Sequence, residues 1–172
     1  MSSGKTESLL KIVDGISDWS GKIFSFIVVP LTLLIVFEVI TRRFFNAPTI
    51  WSFELSNFFF GSHFMLCAAY GLLYKSHVSI DLFTARTSKK TQEILHLISY
   101  ALMFFPFVIV LLVWGIDYAA QAWRMGETSW SVWGPPLGPI KTVIPLTALL
   151  LLMQGIADVV RKIIFLSKGV SA

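Results

Sequence analysis

The chain has 172 residues, of which 55% are hydrophobic and only 14% charged, and its mean hydropathy is +0.73. A soluble domain of this size could not hide so much apolar surface, so the composition excludes an ordinary water-soluble fold and points to an integral membrane protein. The net charge of +4 would suggest nucleic acid or acidic partners in a soluble chain; here it reads as the basic bias of cytoplasmic membrane loops, and no nucleic acid is expected.

In chain order, residues 7–21 form the first predicted element. Leu9, Ile12, Val13, Ile16 and Trp19 share one face at helical spacing, with Lys11, Asp14 and Asp18 away from it. Such a helix is expected to lie in the membrane interface, the other reading being a cytosolic helix packed on the protein. Residues 23–43 read as a first membrane span, loosened by Pro30. No small-x-small cleavage site follows it, so an uncleaved span is expected rather than a signal peptide. Glu38 stands four residues before Arg42, the favourable orientation for a helical ion pair. The connector RRFFNAPTIW is broken by Asn46 and Pro48 and can only turn the chain back, which makes the first two spans antiparallel neighbours. It also brings Arg42 and Arg43 to the height of Glu54, a candidate contact between the helices.

Residues 51–74 are long and apolar enough to cross the membrane as one helix. Glu54, Asn57, Gly61, Ala68, Gly71 and Lys75 fall within roughly a 100° arc of that helix. Lipid cannot satisfy a carboxylate or an amide, so this small and polar stripe is expected to face protein. In the loop that follows, Val78, Ile80 and Leu82 alternate with Ser79 and Asp81, and Ser88 is a fair N-cap. Residues 89–125 read as a third helix, with Pro106 near the middle of its apolar part and Trp114, Tyr118 and Trp123 forming an aromatic belt. The stretch GETSWSVWGPPLGPIKTVIP is expected to be a structured irregular loop anchored by Trp130 and Trp133. Residues 142–165 form the fourth span, with Pro145 in its first turn and Asp158 pairing with Lys162.

The predicted fold is therefore an all-α membrane domain, four transmembrane helices preceded by an interfacial amphipathic helix. Ten of the 14 Lys and Arg residues fall in the N-terminal segment, the second loop and the C-terminal tail. The remaining four, Arg42, Arg43, Arg124 and Lys141, fall on the opposite side, which predicts both termini in the cytoplasm.

Little in the chain suggests chemistry. A haem-binding anchor would need two histidines at one depth, and His63, His77 and His96 do not share one. His63 is expected to be hydrogen-bonded in packed protein and Cys67 to be an inert core residue. No phosphate loop, zinc signature or nucleophile elbow is present, so no enzyme activity, cofactor or metal is expected. A standalone small transporter would show internal repeats or broken helices around a midplane polar site, and neither is visible.

The motifs RRFFNAPTIWSFELS, HVSID, GETS and IPLTALLLLMQGI, in that order along nearly the whole chain, resemble the small membrane subunit of tripartite ATP-independent periplasmic (TRAP) transporters, the DctQ-like small permease component. That resemblance implies a scaffold in a bacterial inner membrane, in contact with lipid and with two partners. One is a large membrane subunit carrying the substrate and sodium sites, and the other is a soluble periplasmic binding protein delivering a small organic anion. It also implies sodium-driven uptake and no substrate site on this chain. By motif position it draws attention to Arg42, Arg43, Asn46, Trp51 and Glu54, with Asn57 and Gly61 further along the stripe. In the later motifs it picks out Glu127 and Ser129 in the third connector and His77 and Asp81 in the second loop. Arg43 departs from the family pattern, where an aromatic is expected.

Overall fold

The computed structural model describes residues 3–74 and 89–167, and the predicted loop features at Lys75, His77, Asp81 and Ser88 lie outside them. The described residues are almost wholly helical. Three helical stretches, Thr6–Phe44, Lys90–Met125 and Gly138–Ser167, are long and apolar enough to cross a membrane.

The first helix, α1 (Ser3–Ser25), and α2 (Val28–Phe44) replace the predicted 7–21 and 23–43. The helix runs straight through Gly21 and Lys22 and breaks at Phe26–Ile27 instead. Pro30 explains the position, because its ring cannot coexist with a regular bond to the carbonyl four residues back, that of Phe26. The chain tightens there into three-residue steps, with Ile27 N–H to Phe24 O at 3.1 Å and Val29 N–H to Phe26 O at 3.0 Å. The apolar side of α1 carries Leu9, Ile12 and Trp19, all well exposed. Its other side, with Ser17, Ser20 and Gly21, is buried against the protein.

The predicted single helix over 51–74 is two helices, α3 (Ser52–Leu66) and α4 (Ala68–Leu73), interrupted at Cys67. The interruption falls where this rod comes closest to α1. The Tyr70 ring occupies the place a Gly21 side chain would take, 2.3 Å from where its Cβ would stand, and Cys67 Sγ lies 3.9 Å from the Gly21 carbonyl oxygen.

The third helix keeps the predicted limits but not a uniform winding. It comprises α5 (Lys89–Ser99), a π-helical turn Tyr100–Phe104, and α6 (Phe105–Met125). Pro106 lacks the N–H that the carbonyl of Leu102 would take in an α-helix, and the wider turn accommodates the missing bond. The ring of Phe104 from that turn fits over Gly155, where an added Cβ would meet it at 2.3 Å.

The last helix, α7 (Gly138–Ser167), starts four residues earlier than predicted. Pro139 supplies the preset φ of a first helical position, and Thr142 Oγ1 donates to the Gly138 carbonyl at 2.8 Å. Pro145 consequently lies inside the helix rather than in its first turn.

Among the described residues the helices do not close into a ring. The rod α1–α2 lies antiparallel beside α3–α4. At one end Tyr74 donates to Asp18 at 2.8 Å, and at the other Thr49 donates to Glu38 at 2.6 Å. In the middle His63 Nδ1 meets the Phe24 carbonyl at 3.0 Å. α7 is central, packing on α6 most extensively and also on α1, α3 and α4. The order is thus a row, α2, α3, α7, α6. At its margin α2 packs chiefly on α3 and buries only Leu31 and Leu34.

Candidate functional site: two polar collars

The polar side chains gather at the two ends of the rods. One end holds the two connectors. There Asn46 adopts a left-handed φ of 50°, a conformation asparagine tolerates better than other side chains. It ends α2 while the Ala47 N–H returns to the Thr41 carbonyl at 3.1 Å. Glu38 accepts Arg42 at 2.7 Å, as its spacing predicts, and also takes the Thr49 backbone N–H at 3.3 Å. The Thr49 hydroxyl lies 2.6 Å from that of Ser52. Trp51 stacks on Phe37 with ring centroids 6.1 Å apart. Glu38 therefore ties the end of α2 to the start of α3.

The candidate contact of Glu54 with Arg42 or Arg43 is not made. Glu54 instead accepts the Ser129 hydroxyl and, at 2.6 Å, the Ser131 hydroxyl, both from the third connector. Ser131 Oγ then accepts the Gly134 N–H at 3.1 Å. The connector is shaped by Gly126, which takes a left-handed φ of 59° as the residue just past α6. The Glu127 N–H then reaches back to the Ala122 carbonyl at 3.0 Å, the closing bond of a Schellman ending. Only residues 126–137 are irregular. They fold into a small hairpin with a bridge between Thr128 and Pro136. Glu127 pairs with Lys141, whose ammonium lies 3.8 Å over the Tyr118 ring and is nearly buried. Trp130 projects fully from the hairpin, while Trp133 is only 37% exposed.

Three carboxylates thus fix this end: Glu38 the first connector, Glu54 the hairpin to α3, and Glu127 the hairpin to α7. Among the residues singled out from the sequence, Arg43 is exposed and makes no ion pair among the described residues. Asn57 is exposed, with no hydrogen bond to its amide among the described residues, and Gly61 has open space where a side chain would stand.

The opposite end carries a network that sequence reasoning missed. Gln154, fully buried, accepts the Ser17 hydroxyl at 2.7 Å and donates to Asp14 at 3.3 Å. Asp14 also pairs with Arg161, which reaches Asp158 at 3.3 Å. Tyr100 donates to Asp158 at 3.2 Å. Lys162, expected to pair with Asp158, donates to Glu93 of α5 at 2.7 Å. One signal was available: Gln154, Asp158 and Arg161 recur at four- and three-residue steps within an otherwise apolar run, one stripe of a helix.

Lys141 and Asp158 mark the two collars on α7. Their separation of 17 residues is about 26 Å of helix at 1.5 Å per residue, close to the hydrocarbon thickness of a bilayer. Between the collars the described residues hold no cluster of His, Cys, Asp or Glu able to bind a metal ion. The His63 ring is committed to the Phe24 carbonyl.

Residues 31–164 match the family of tripartite ATP-independent periplasmic transporters, DctQ component. The chain belongs to the DctQ family. It is a small permease component of a TRAP transporter, a membrane-embedded transporter part rather than a member of an enzyme family. DctQ proteins work in the tripartite system with a large permease and a periplasmic binding protein. No curated protein matches the chain. The matched region begins at Leu31, so α1, with Ser17 and Asp14, lies outside it, while their partners Gln154 and Arg161 lie within.

Proposed function

We propose that this DctQ chain is the fixed scaffold subunit of a sodium-driven importer of a small organic anion in a bacterial inner membrane. The rods α1–α2, α3–α4, α5–α6 and α7 are four membrane crossings. Both termini lie in the cytoplasm, and the connector collar faces the periplasm. The first part of α1 rests in the cytoplasmic interface, its exposed Leu9, Ile12 and Trp19 in lipid. The large subunit carries substrate and sodium, and the periplasmic binding protein delivers the anion. The hairpin held by Glu54 and Glu127 forms part of the floor over which delivery takes place.

The family match over residues 31–164 carries this reading. The arrangement of charge supports it: the ionic groups described here are drawn to the two collars, where they brace connectors and helix ends. The test is reconstitution in liposomes. This chain alone is expected to show no uptake under a sodium gradient. Together with the large subunit and the binding protein it is expected to support anion accumulation that collapses when the sodium gradient is removed. Sodium-driven uptake by the chain alone would overturn the proposal.

A further inference from the structure

The row of helices ends in two exposed margins of different chemistry. The α6 margin presents Leu102, Phe107, Val110 and Val113, which lipid tails can cover. The α2–α3 margin differs. It contains an open groove of about 320 Å³, lined by Ile35, Val39 and Phe53 together with Glu38, Arg42, Ser52, Ser56 and Asn57. Asn57 lies five residues beyond Ser52, about 7.5 Å from the connector collar toward the middle of the rods. Its amide has no partner among the described residues. Gly61, one turn further, has nothing within 4 Å of where a Cβ would stand.

We propose that this groove seats one membrane helix of the large subunit, an inference that rests on the scaffold reading above. Three observations select that occupant. An acyl chain offers neither donor nor acceptor to the Asn57 amide, whereas a polar side chain of a neighbouring helix offers both. Gly61 lets a backbone approach closely, as helix pairs in membranes require. At the rim Arg42 is held by Glu38 at 2.7 Å, whereas Arg43 is exposed and has no ion pair among the described residues. A second copy of this chain, related by a two-fold axis along the membrane normal, would set the unpaired Arg43 against its own image at the same height. Like charges disfavour that pairing, so the complementary partner is a different chain with an acidic residue at the rim.

The space at Gly61 makes the test clean, because an added Cβ there has nothing within 4 Å among the described residues. The full chain is co-expressed with the large subunit of its own transporter, and the large subunit recovered with it is measured. Gly61→Trp is expected to lower recovery roughly tenfold, the loss of about 1.4 kcal/mol of association, and Asn57→Leu to lower it in the same direction. Gly15→Trp, which also meets open space but on α1, is expected to leave recovery unchanged. Gly61→Trp purified alone is expected to keep the melting midpoint of the unsubstituted chain. A Gly61→Cys variant lacking Cys67 is expected to cross-link to the large subunit.

Full recovery with Gly61→Trp overturns the proposal. So does cross-linking of Gly61→Cys only to a second copy of this chain or to no protein at all. If the unsubstituted chain recovers no large subunit, the scaffold reading itself fails, a result distinct from loss in the groove variants alone.

Discussion

Gln154 shows how one side chain can hold an element that the family region does not contain. It is fully buried in α7, and its carbonyl and amide both point at α1, to Ser17 and Asp14. Leucine at this position would fill similar space but leave the buried Ser17 hydroxyl without its acceptor. Gln154→Leu is therefore expected to destabilise the protein by about 1–3 kcal/mol, the usual cost of an orphaned buried polar group. A lowered thermal midpoint of the detergent-purified chain measures this. Adding Ser17→Ala is expected to recover part of the loss, because both halves of the bond are then gone. The Glu38–Arg42 pair was legible in the sequence because its partners are four residues apart on one helix. The Gln154 contacts were not, since Ser17 is 137 residues away and only the packing of α1 on α7 brings the two together. Glu54 teaches the same lesson. Its height near the arginines was readable, but the hairpin hydroxyls that take it are set by the path of a distant connector.

At the scale of elements, helices were legible in hydrophobic run length, although 51–74 is two helices and α7 starts at Gly138 rather than at 142. Interruptions were legible only where proline marked them. Pro30 and Pro106 announce the breaks at Phe26–Ile27 and Tyr100–Phe104. Cys67 carries no such mark, since that break accompanies the close approach of Tyr70 to Gly21. The third connector is an element in its own right, a hairpin clamped from two sides by Glu54 and Glu127. Removing one clamp is expected to loosen the hairpin without melting the helices. In Glu54→Leu, hydrogen–deuterium exchange is expected to quicken at residues 127–134, where the Ser131 and Gly134 N–H groups depend on the held serines. The amides of α6 and α7 are expected to exchange as before. Unchanged exchange in the hairpin would mean that Glu127 and Lys141 suffice.

At the scale of the molecule, the open row was not legible at all, because hydrophobic periodicity says that a helix is covered but not by what. The row leaves α2 held mainly by α3. A protein built this way gains stability from whatever completes it. Binding of the large subunit is expected to raise the melting midpoint of this chain, by about 2.7 kcal/mol of stabilisation at a hundredfold excess over the dissociation constant. Equal midpoints for the free and assembled chain would show that the row is sufficient by itself. The two collars bear on how such an assembly works. Lys141 and Asp158 stand on one helix, Lys141 paired with Glu127 of the hairpin and Asp158 accepting the Tyr100 hydroxyl. Sliding α7 along the membrane normal would drag one of those charged groups into hydrocarbon. On the scaffold reading proposed above, the helix acts as a depth gauge that holds the subunit at one level in the bilayer. On that proposal, any vertical travel during a transport cycle is assigned to the partner, against a neighbour that neither rises nor sinks.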